Sequence, residues 1–125
     1  MLGTAPIRAY IPVSDLQRAR KFYEQTLGLE PLEQYGGGVI YRCGGAEVFM
    51  YQTPNAGTSK ASQAFWQVAD VEAEVAELKV RGVVFEEYDM PGIKMKNSIA
   101  TGGGAKTAWC KDSEGNIMAV SQRIR

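Results

Sequence analysis

The chain has 125 residues, of which 45% are hydrophobic, and its 14 Lys and Arg residues balance 14 Asp and Glu residues. This length suits one domain that buries roughly two-thirds of the surface exposed by its unfolded chain, so no disulfide or structural metal is required. The formal net charge of zero argues against nucleic acid as a partner, because phosphate binding depends on a concentrated positive surface.

The chain contains no histidine, which excludes Ser/His/Asp catalysis and His-ligated metal sites within a single chain. Its first residues lack the features of a signal peptide, and no segment approaches the roughly 18 apolar residues of a membrane span. We therefore expect a cytoplasmic protein that does not contact a membrane. Cys43 and Cys110 have no metal-type spacing, and two isolated thiols in this compartment are expected to stay reduced.

The first predicted strand runs from Ile7 to Val13, where two kinds of side chain alternate. The spacing of Ser14-Asp15-Leu16-Gln17 predicts a helix start with a capping box, in which the Ser14 hydroxyl accepts a hydrogen bond. Gly28 suits the left-handed conformation that ends many helices. The apolar stripe of this helix consists of Leu16, Ala19, Phe22, Tyr23 and Leu27.

Three more strands complete the first unit, around Leu29 to Gln34, Val39 to Cys43 and Glu47 to Gln52. Paired glycines separate these strands and are a usual signature of hairpins. The unit is therefore βαβββ and covers about residues 6–52. The turn-forming residues of 53–61 indicate a linker.

A second unit, about residues 62–125, repeats this plan. A strand from Gln63 to Val68 precedes a helix that Asp70 caps and Gly82 ends. The residues of this helix that we expect to face inward are Val71, Val75 and Leu78.

The rest of the second unit is predicted to contain a strand from Val83 to Tyr88 and a hairpin of Ala105 to Cys110 and Ile117 to Gln122. The intervening segment, Asp89 to Gly104, is long for a connection inside a compact domain. Its apolar residues would be poor choices for a freely solvated loop, so we expect a lid, with a mobile surface insertion as the alternative. These apolar residues are Met90, Ile93, Met95 and Ile99.

The repeated unit, with Val13-Ser14-Asp15-Leu16 and Leu27-Gly28-Leu29 in its first copy, resembles the vicinal oxygen chelate superfamily of glyoxalases, bleomycin-resistance proteins and extradiol dioxygenases. The turn Asp112-Ser113-Glu114-Gly115-Asn116 is similar to that family's Asp-Pro-Asp-Gly-Asn turn. The resemblance implies an α+β fold in which two tandem βαβββ modules form a curved mixed sheet around a cavity. It also implies a homodimer, because family members usually close the cavity across a subunit interface.

Catalytic members of that superfamily bind one divalent metal ion through four side chains. Matching strand by strand, the resemblance places these four positions at Arg8, Phe49, Gln63 and Ala119. The side chains of Arg8, Phe49 and Ala119 cannot supply the oxygen and nitrogen ligands that a divalent metal ion needs. We therefore expect neither a metal ion nor another cofactor.

The period-two pattern of the strands, applied to this fold, predicts which side chains face the cavity. The ligand-binding residues predicted in this way are Arg8, Tyr10, Phe49, Tyr51, Gln63, Phe65, Gln67 and Ser121. The opposite faces, which the helices are expected to cover, carry Ile7, Ala9, Ile11, Val48, Met50, Ala64, Trp66, Val68, Met118 and Val120.

Three functions follow from these patterns, and we favour the first. It is metal-free binding of a small aromatic or amphipathic molecule, for example to sequester a drug or metabolite, with Arg8 offering a fork for a carboxylate, phosphate or carbonyl-rich group. The competing interpretation of each lining residue is ordinary core packing or, for Arg8, a structural ion pair.

The second function is catalysis by a glyoxalase-like lyase or dioxygenase-type enzyme with a non-standard site. Such an enzyme would hold metal through Glu33 and Glu47, or would use a phenol or thiol as acid or nucleophile. The candidate phenols and thiols are those of Tyr10, Tyr51, Cys43 and Cys110. The third function is a regulatory module whose bound ligand changes the behaviour of a protein partner.

Overall fold

The structure is a computed structural model that describes residues 1–89 and 91–124. A short 3-10 turn (Leu2–Thr4) precedes the first half of the fold. That half consists of strand β1 (Ala9–Val13), helix α1 (Leu16–Lys21), a π-helical turn (Phe22–Thr26), and strands β2 (Glu30–Tyr35), β3 (Gly38–Cys43) and β4 (Ala46–Gln52). The second half consists of β5 (Ala64–Gln67), α2 (Val71–Val80), β6 (Lys94–Lys96), β7 (Ile99–Gly102), β8 (Ala105–Lys111) and β9 (Ile117–Arg123).

Each half builds its own sheet. Sheet A has the strand order β1-β4-β3-β2, and sheet B has the order β5-β9-β8-β7-β6. In both sheets the first strand of the half pairs in parallel with the last one, whereas the other neighbours are antiparallel. The predicted α+β class of paired repeats is confirmed, with the strands arranged in two mixed sheets of four and five.

Both helices begin at an aspartate that accepts a hydrogen bond from the third residue after it. Asp15 accepts from the Arg18 amide and Asp70 from the Ala73 amide, each at 3.1 Å. The predicted cap at Asp70 is confirmed. The predicted capping box at Ser14 is wrong, because the Ser14 hydroxyl instead donates to the Glu114 carboxylate, 100 residues away.

The first helix widens into a π-helical turn before it ends. The amide of Leu27 donates to the carbonyl of Phe22 at 3.0 Å, and the amide of Leu29 donates to that of Tyr23 at 2.9 Å. Gly28, between the two donors, has a φ of +80°, as the sequence predicts for a helix end. The wide turn places Tyr23 with no exposed surface inside the core.

The turn between β8 and β9 connects the two halves. Asp112 Oδ2 accepts a hydrogen bond from Tyr23 Oη at 2.6 Å, and Asn116 Nδ2 donates to the carbonyl of Pro12 at 2.8 Å. Glu114 Oε1 accepts from the amides of Ser14 and Asp15, both at 3.0 Å, at the start of α1. The second half of the chain thus supplies acceptors for the first helix.

The second half departs from the predicted plan before β8. Val83–Tyr88 is not a strand: Phe85 makes one bridge to Cys110, and the amide of Glu86 donates to the carbonyl of Trp109 at 2.7 Å. Further along the same edge of β8, residues Ala105 to Thr107 of β8 pair with β7. The strand expected at 83–88 is therefore reduced to a single contact beside a later strand.

The segment 89–104, expected to be a loop, contains the hairpin of β6 and β7. Its two-residue turn consists of Asn97 and Ser98, whose φ angles are +54° and +69°. The hydroxyl of Ser98 donates to Glu87 at 2.7 Å, and Lys79 Nζ donates to the carbonyl of Asn97 at 3.3 Å. The structure thus anchors the turn of this segment to the rest of the second half. Met90 lies outside the described residues.

Two hydrophobic clusters lie between the sheets and their helices. Sheet A and α1 bury Ile11, Met50 and the neighbouring apolar residues, while sheet B and α2 bury Val71, Val75, Met118 and Val120. These residues confirm the predicted helix-covered faces. Ile7 and Ala9 are exceptions, because Ala9 is exposed and Ile7, with 94% of its surface exposed, lies two residues before β1 begins. Among the described residues, no helix is both long and apolar enough to cross a membrane.

Candidate ligand-binding site

The face of sheet A that points away from α1 is dominated by aromatic rings, and we call it the aromatic face. Strand pairing puts Tyr10 opposite Phe49 and Phe49 opposite Ile40, so the three side chains form one row across the sheet. Tyr51 and Tyr35 extend this surface: Phe49 and Tyr51 stack at 6.4 Å with an interplanar angle of 8°, and Tyr35 meets Phe49 edge to face at 6.0 Å. Tyr10 contacts both Phe49 and Tyr51, at 5.9 and 5.0 Å between ring centroids.

Gly38 makes room for this ring arrangement. A Cβ atom at Gly38 would overlap the carbonyl oxygen of Met50 and would lie 3.0 Å from the Phe49 ring. Glycine therefore lets the Phe49 ring lie over the backbone of β3, where a larger residue would displace it.

A row of charged side chains borders the aromatic rows. Glu47 lies 3.6 Å from Arg8 and 3.4 Å from Arg42, so one carboxylate is shared by two guanidinium groups. The side chains of both arginines are about half exposed, at 49% and 57%. Of the two arginines, Arg8 alone lines the cavity above the aromatic face. Its guanidinium lies 3.5 Å from the carbonyl of Ile7 and 3.6 Å from Glu47, and these long contacts leave donors for a ligand anion or carbonyl.

The corresponding face of sheet B is different in character, and we call it the polar face. Phe65, Ala119 and Trp109 form one row, and Gln67, Ser121 and Thr107 form the next. The hydroxyls of Thr107 and Ser121 lie 3.0 Å apart and share one hydrogen bond, so one hydroxyl proton remains free. Within residues 1–89 and 91–124, the side-chain amide of Gln67 has no hydrogen-bond partner.

Four cavities that share lining residues border these two faces and the gap between β1 and β5, and we call them together the trough. The first cavity is lined by Tyr51 and Gly37. The second has a volume of about 300 Å³ and shares Tyr10 and Phe49 with the first. Tyr10 also lines a third cavity of about 420 Å³, in the gap between β1 and β5. Most of the lining of this cavity, including Ile11 and Trp66, comes from the helix-covered faces. That cavity shares Phe65 with a fourth, of about 260 Å³, on the polar face.

All eight residues predicted to bind a ligand line this trough. Four come from the aromatic face, namely Arg8, Tyr10, Phe49 and Tyr51. The other four lie in the gap and on the polar face, namely Gln63, Phe65, Gln67 and Ser121. Tyr10 and Phe65 are 64% and 62% exposed, so the trough is open to solvent in a single chain. The role of these residues in binding stays a prediction.

Sequence reasoning missed several residues of the trough. Ile40, Thr107 and Trp109 face it from β3 and β8, and the same period-two pattern would have identified them had it been applied to those strands. Tyr35 could not be found in this way, because a bulge between Pro31 and Glu33 reverses the alternation of β2.

The predicted lid segment and the residue just before it border the polar face. The ring of Tyr88 contacts that of Trp109 edge to face at 5.6 Å, and the amide of Tyr88 lies 3.1 Å from the sulfur of Met95. Strand register also extends the row of Ser121 and Thr107 to Ala100 and Met95 of the segment, and whether the segment closes over a ligand stays a prediction.

The side chains at the four implied metal positions do not fit a divalent cation. Arg8 carries a positive charge, and Phe49 and Ala119 have no donor atom, which leaves the neutral amide of Gln63. Glu47 lies beside Arg8 but is already shared by two arginines. Among residues 1–89 and 91–124, no three His, Cys, Asp or Glu side chains are grouped so that they could hold a metal ion.

The two cysteines are poorly suited to nucleophilic chemistry. Burial raises the pKa of the Cys43 thiol, although a hydrogen bond with Trp66 opposes this effect. Burial, together with the nearby charge of Asp112, raises the pKa of the Cys110 thiol to about 11. Both groups therefore remain thiols at neutral pH, whereas a nucleophile of this kind needs the thiolate.

Comparison with known proteins places this fold in a family. The model of the Glyoxalase/Bleomycin resistance protein/Dioxygenase superfamily matches residues 5–119. No curated protein sequence matches the chain.

Several solved structures share the fold at low sequence identity. An antibiotic binding protein from Streptomyces sp. CB03234 is 22% identical, with 98% of each chain covered and a TM-score of 0.73. A lactoylglutathione lyase from Agrobacterium tumefaciens is 21% identical, with 95% of this chain and 93% of the other covered and a TM-score of 0.64.

A glyoxalase/bleomycin resistance protein/dioxygenase from Alicyclobacillus acidocaldarius is 15% identical, with 98% and 93% covered and a TM-score of 0.69. These three likenesses extend over nearly the whole chain and concern the fold alone. Together with the family model, which covers most of the sequence, they lead to one conclusion: the chain belongs to the Glyoxalase/Bleomycin resistance protein/Dioxygenase superfamily.

Proposed function

We propose that this protein binds a small aromatic organic molecule in the trough without a metal ion, and so sequesters a drug or metabolite. The observation that carries this proposal is the set of contacting rings on the aromatic face, with Tyr10 more than half exposed. Aromatic side chains usually bury most of their surface, so rings left open along connected cavities favour a planar partner.

The donor chemistry of the trough supports binding over metal-assisted catalysis. Lewis-acid chemistry requires a site that holds the ion, and the four implied positions do not provide one. The shared fold of an antibiotic binding protein is consistent with sequestration, although at 22% identity it does not identify the ligand. Cytoplasmic location and pairing of two chains around the trough stay predictions from the sequence.

Thermal unfolding with two sets of additives tests the proposal. A ligand that binds only the folded protein stabilises it by about 2.7 kcal/mol at a hundredfold excess over its dissociation constant. We expect planar aromatic compounds to raise the midpoint equally with and without EDTA, and divalent metal ions to leave it unchanged. A metal-induced rise that EDTA removes would contradict the metal-free site and favour the enzymatic alternative.

Two alanine variants locate the ligand. Tyr10→Ala should weaken binding of a planar compound about tenfold, equivalent to about 1.4 kcal/mol, because it removes the ring shared by three cavities. Val84→Ala is the control, since Val84 is an apolar residue with 77% exposure that does not line the trough. Equal effects of the two substitutions would place the ligand elsewhere.

Arg8 and Arg42 offer a second matched pair, because both lie beside Glu47 but only Arg8 lines the trough. If an aromatic carboxylate binds, Arg8→Ala should weaken it by about 1.5–3 kcal/mol, the usual value of a charge-assisted hydrogen bond. Arg42→Ala should leave the affinity unchanged. An unchanged affinity in Arg8→Ala would assign Arg8 to a structural ion pair.

A further inference from the structure

The two faces of the trough differ in charge. The charged side chains that line it, Arg8 and Glu47, both border the cavity above the aromatic face. In the part of the chain that the structure describes, neither the cavity between β1 and β5 nor the one on the polar face has a charged lining residue. Lys111 and Arg123 have the same strand parity as Trp109 and Ser121 but do not line that cavity. A ligand that extends from one face to the other would therefore place an uncharged part in the cavity of the polar face.

The polar face nevertheless offers many hydrogen bonds. The side-chain amides of Gln63 and Gln67 have no partner among residues 1–89 and 91–124, and each has two donors and an accepting oxygen. The hydroxyls of Thr107 and Ser121 form one hydrogen bond with each other, which leaves one hydroxyl proton and several lone pairs for a ligand. This set suits an uncharged group that carries several hydroxyls.

An aromatic platform lies among these polar groups. Trp109 shares a row with Phe65, and its ring adjoins the row that holds Thr107 and Ser121. A sugar ring has C–H bonds on its face, which pack against an indole, and hydroxyls around its rim, which bond to amides and hydroxyls. The polar face presents the matching groups to such a ring.

We propose that the ligand has two parts: a planar aromatic ring system on the aromatic face and an uncharged, sugar-like polyhydroxylated ring on the polar face. This inference rests on the proposed function and adds the chemical class of the ligand, an aromatic glycoside. Tyr10 on β1 and Phe65 on β5 lie on the two strands that flank the gap, so the bond between the two parts would cross the gap beside these rings.

Binding of matched pairs of compounds to the full chain tests this assignment. The probes are 4-nitrophenol, 2-naphthol and 4-methylumbelliferone, each measured alone and as its β-D-glucoside by titration calorimetry. We expect at least one glucoside to bind ten or more times as tightly as its own aglycone. Aglycones that bind as tightly as the glucosides would overturn the two-part ligand and leave the aromatic site in place. Failure of all six compounds to bind would count against the proposed function and against this inference with it.

Variants then assign the sugar to the polar face. Gln63 is exposed and unpartnered within the described residues, so Gln63→Ala should leave folding intact while it lowers the affinity of the glucoside about three- to tenfold and leaves that of the aglycone unchanged. Trp109→Phe should act in the same direction, and Tyr51→Ala should weaken both compounds by the same factor. Equal loss of glucoside and aglycone in Gln63→Ala would contradict the assignment.

Discussion

Gly38 shows how one small residue shapes the aromatic face. Its position leaves no room for a Cβ atom beside the Met50 carbonyl, and the Phe49 ring occupies the space above it. The ring in turn contacts Tyr10, Tyr35 and Tyr51. The order of four aromatic side chains thus depends on the absence of a single methyl group.

Gly38→Ala should therefore lower the free energy of unfolding by about 1–3 kcal/mol, the usual cost of overpacking. It should also weaken binding of planar compounds, because the Phe49 ring would be displaced. Chemical denaturation measures the first effect and titration the second. Gly3→Ala is the control, since nothing lies within 4 Å of the Cβ position there, and equal stability of the two variants would contradict the steric explanation.

Glu114 is a second residue whose surroundings allow a definite prediction. Hydrogen bonds from Arg18, with further bonds from the Asp15 amide and two serines, outweigh the effect of burial and lower the pKa of the Glu114 carboxyl to about 2. Because this pKa lies below the ordinary value near 4.5, the carboxylate contributes stability above about pH 4.5. That contribution decreases as the pH falls from there through about 2.

Glu114→Gln should lower the free energy of unfolding at pH 7 by about 1.5–3 kcal/mol, in line with hydrogen bonds to a charged group. The difference from wild type should narrow as the pH falls from 4.5 towards 2, because the native carboxyl is then protonated too. Urea denaturation at several pH values measures this difference. Glu77→Gln, in an exposed pair with Arg81, should cost only a few tenths of a kcal/mol, and a pH-independent gap for Glu114→Gln would be inconsistent with the lowered pKa.

The two helices begin in the same way, with an aspartate whose Oδ1 accepts a backbone hydrogen bond at 3.1 Å. Each start also receives a side chain from the second half: Glu114 at α1 and Gln122, which accepts from the Val71 amide at 2.9 Å, at α2. The aspartate is therefore one of two acceptors at each helix start.

Asp15→Ala and Asp70→Ala should each lower the free energy of unfolding by about 1 kcal/mol, within the range known for lost N-caps. Asp15→Asn and Asp70→Asn preserve the accepting oxygen and should stay close to wild type. Thermal or chemical denaturation of the four variants distinguishes the cap from a simple effect of charge. Asn variants as unstable as the Ala variants would rule out the capping contribution.

The helices and most strands could be predicted because their signals are local. Asp70 marks a helix start because its side chain accepts a backbone hydrogen bond. Gly28 and Gly82 mark helix ends because both have positive φ angles, which few other residues adopt. The hairpin of β6 and β7 could not be predicted, because its turn uses Asn97 and Ser98 at positive φ, where glycine is the usual signal.

The strand predicted at Val83–Tyr88 failed for a different reason. Its apolar residues suit a strand, but only Phe85 and Glu86 reach the edge of β8, at Cys110 and Trp109, while β7 pairs with the Ala105–Thr107 part of that edge. How two segments share the edge of one strand depends on tertiary structure. The Ser14 prediction failed in the same way, since the acceptor at Glu114 is 100 residues away.

The trough could be predicted only in part from the sequence. Alternation along β1, β4, β5 and β9 selected eight residues, all of which line it. The gap between the two sheets, and the difference between an aromatic and a polar face, depend on how Tyr10 and Phe65 are placed across that gap. No pattern within one strand contains this information.

The complete molecule should be a homodimer in solution, because the trough of one chain is open and its central rings are more than half exposed. A second copy that closes the open side of the trough over a bound ligand would bury apolar area around it, at a gain of about 25 cal/mol for each Å². Size-exclusion chromatography with light scattering should give twice the chain mass of 13.7 kDa. A mass of 13.7 kDa at concentrations where ligand binds would refute the dimer.

The turn from Asp112 to Asn116 should also slow the folding of the protein. Its bonds to Pro12, Ser14 and Tyr23 join residues 89 to 104 positions apart, and native contacts of such high sequence separation go with slow folding. During synthesis, helix α1 emerges long before the carboxylate that binds its first amides. We expect the two repeated halves to unfold as one cooperative unit, because these bonds join the first helix to the last turn of the chain.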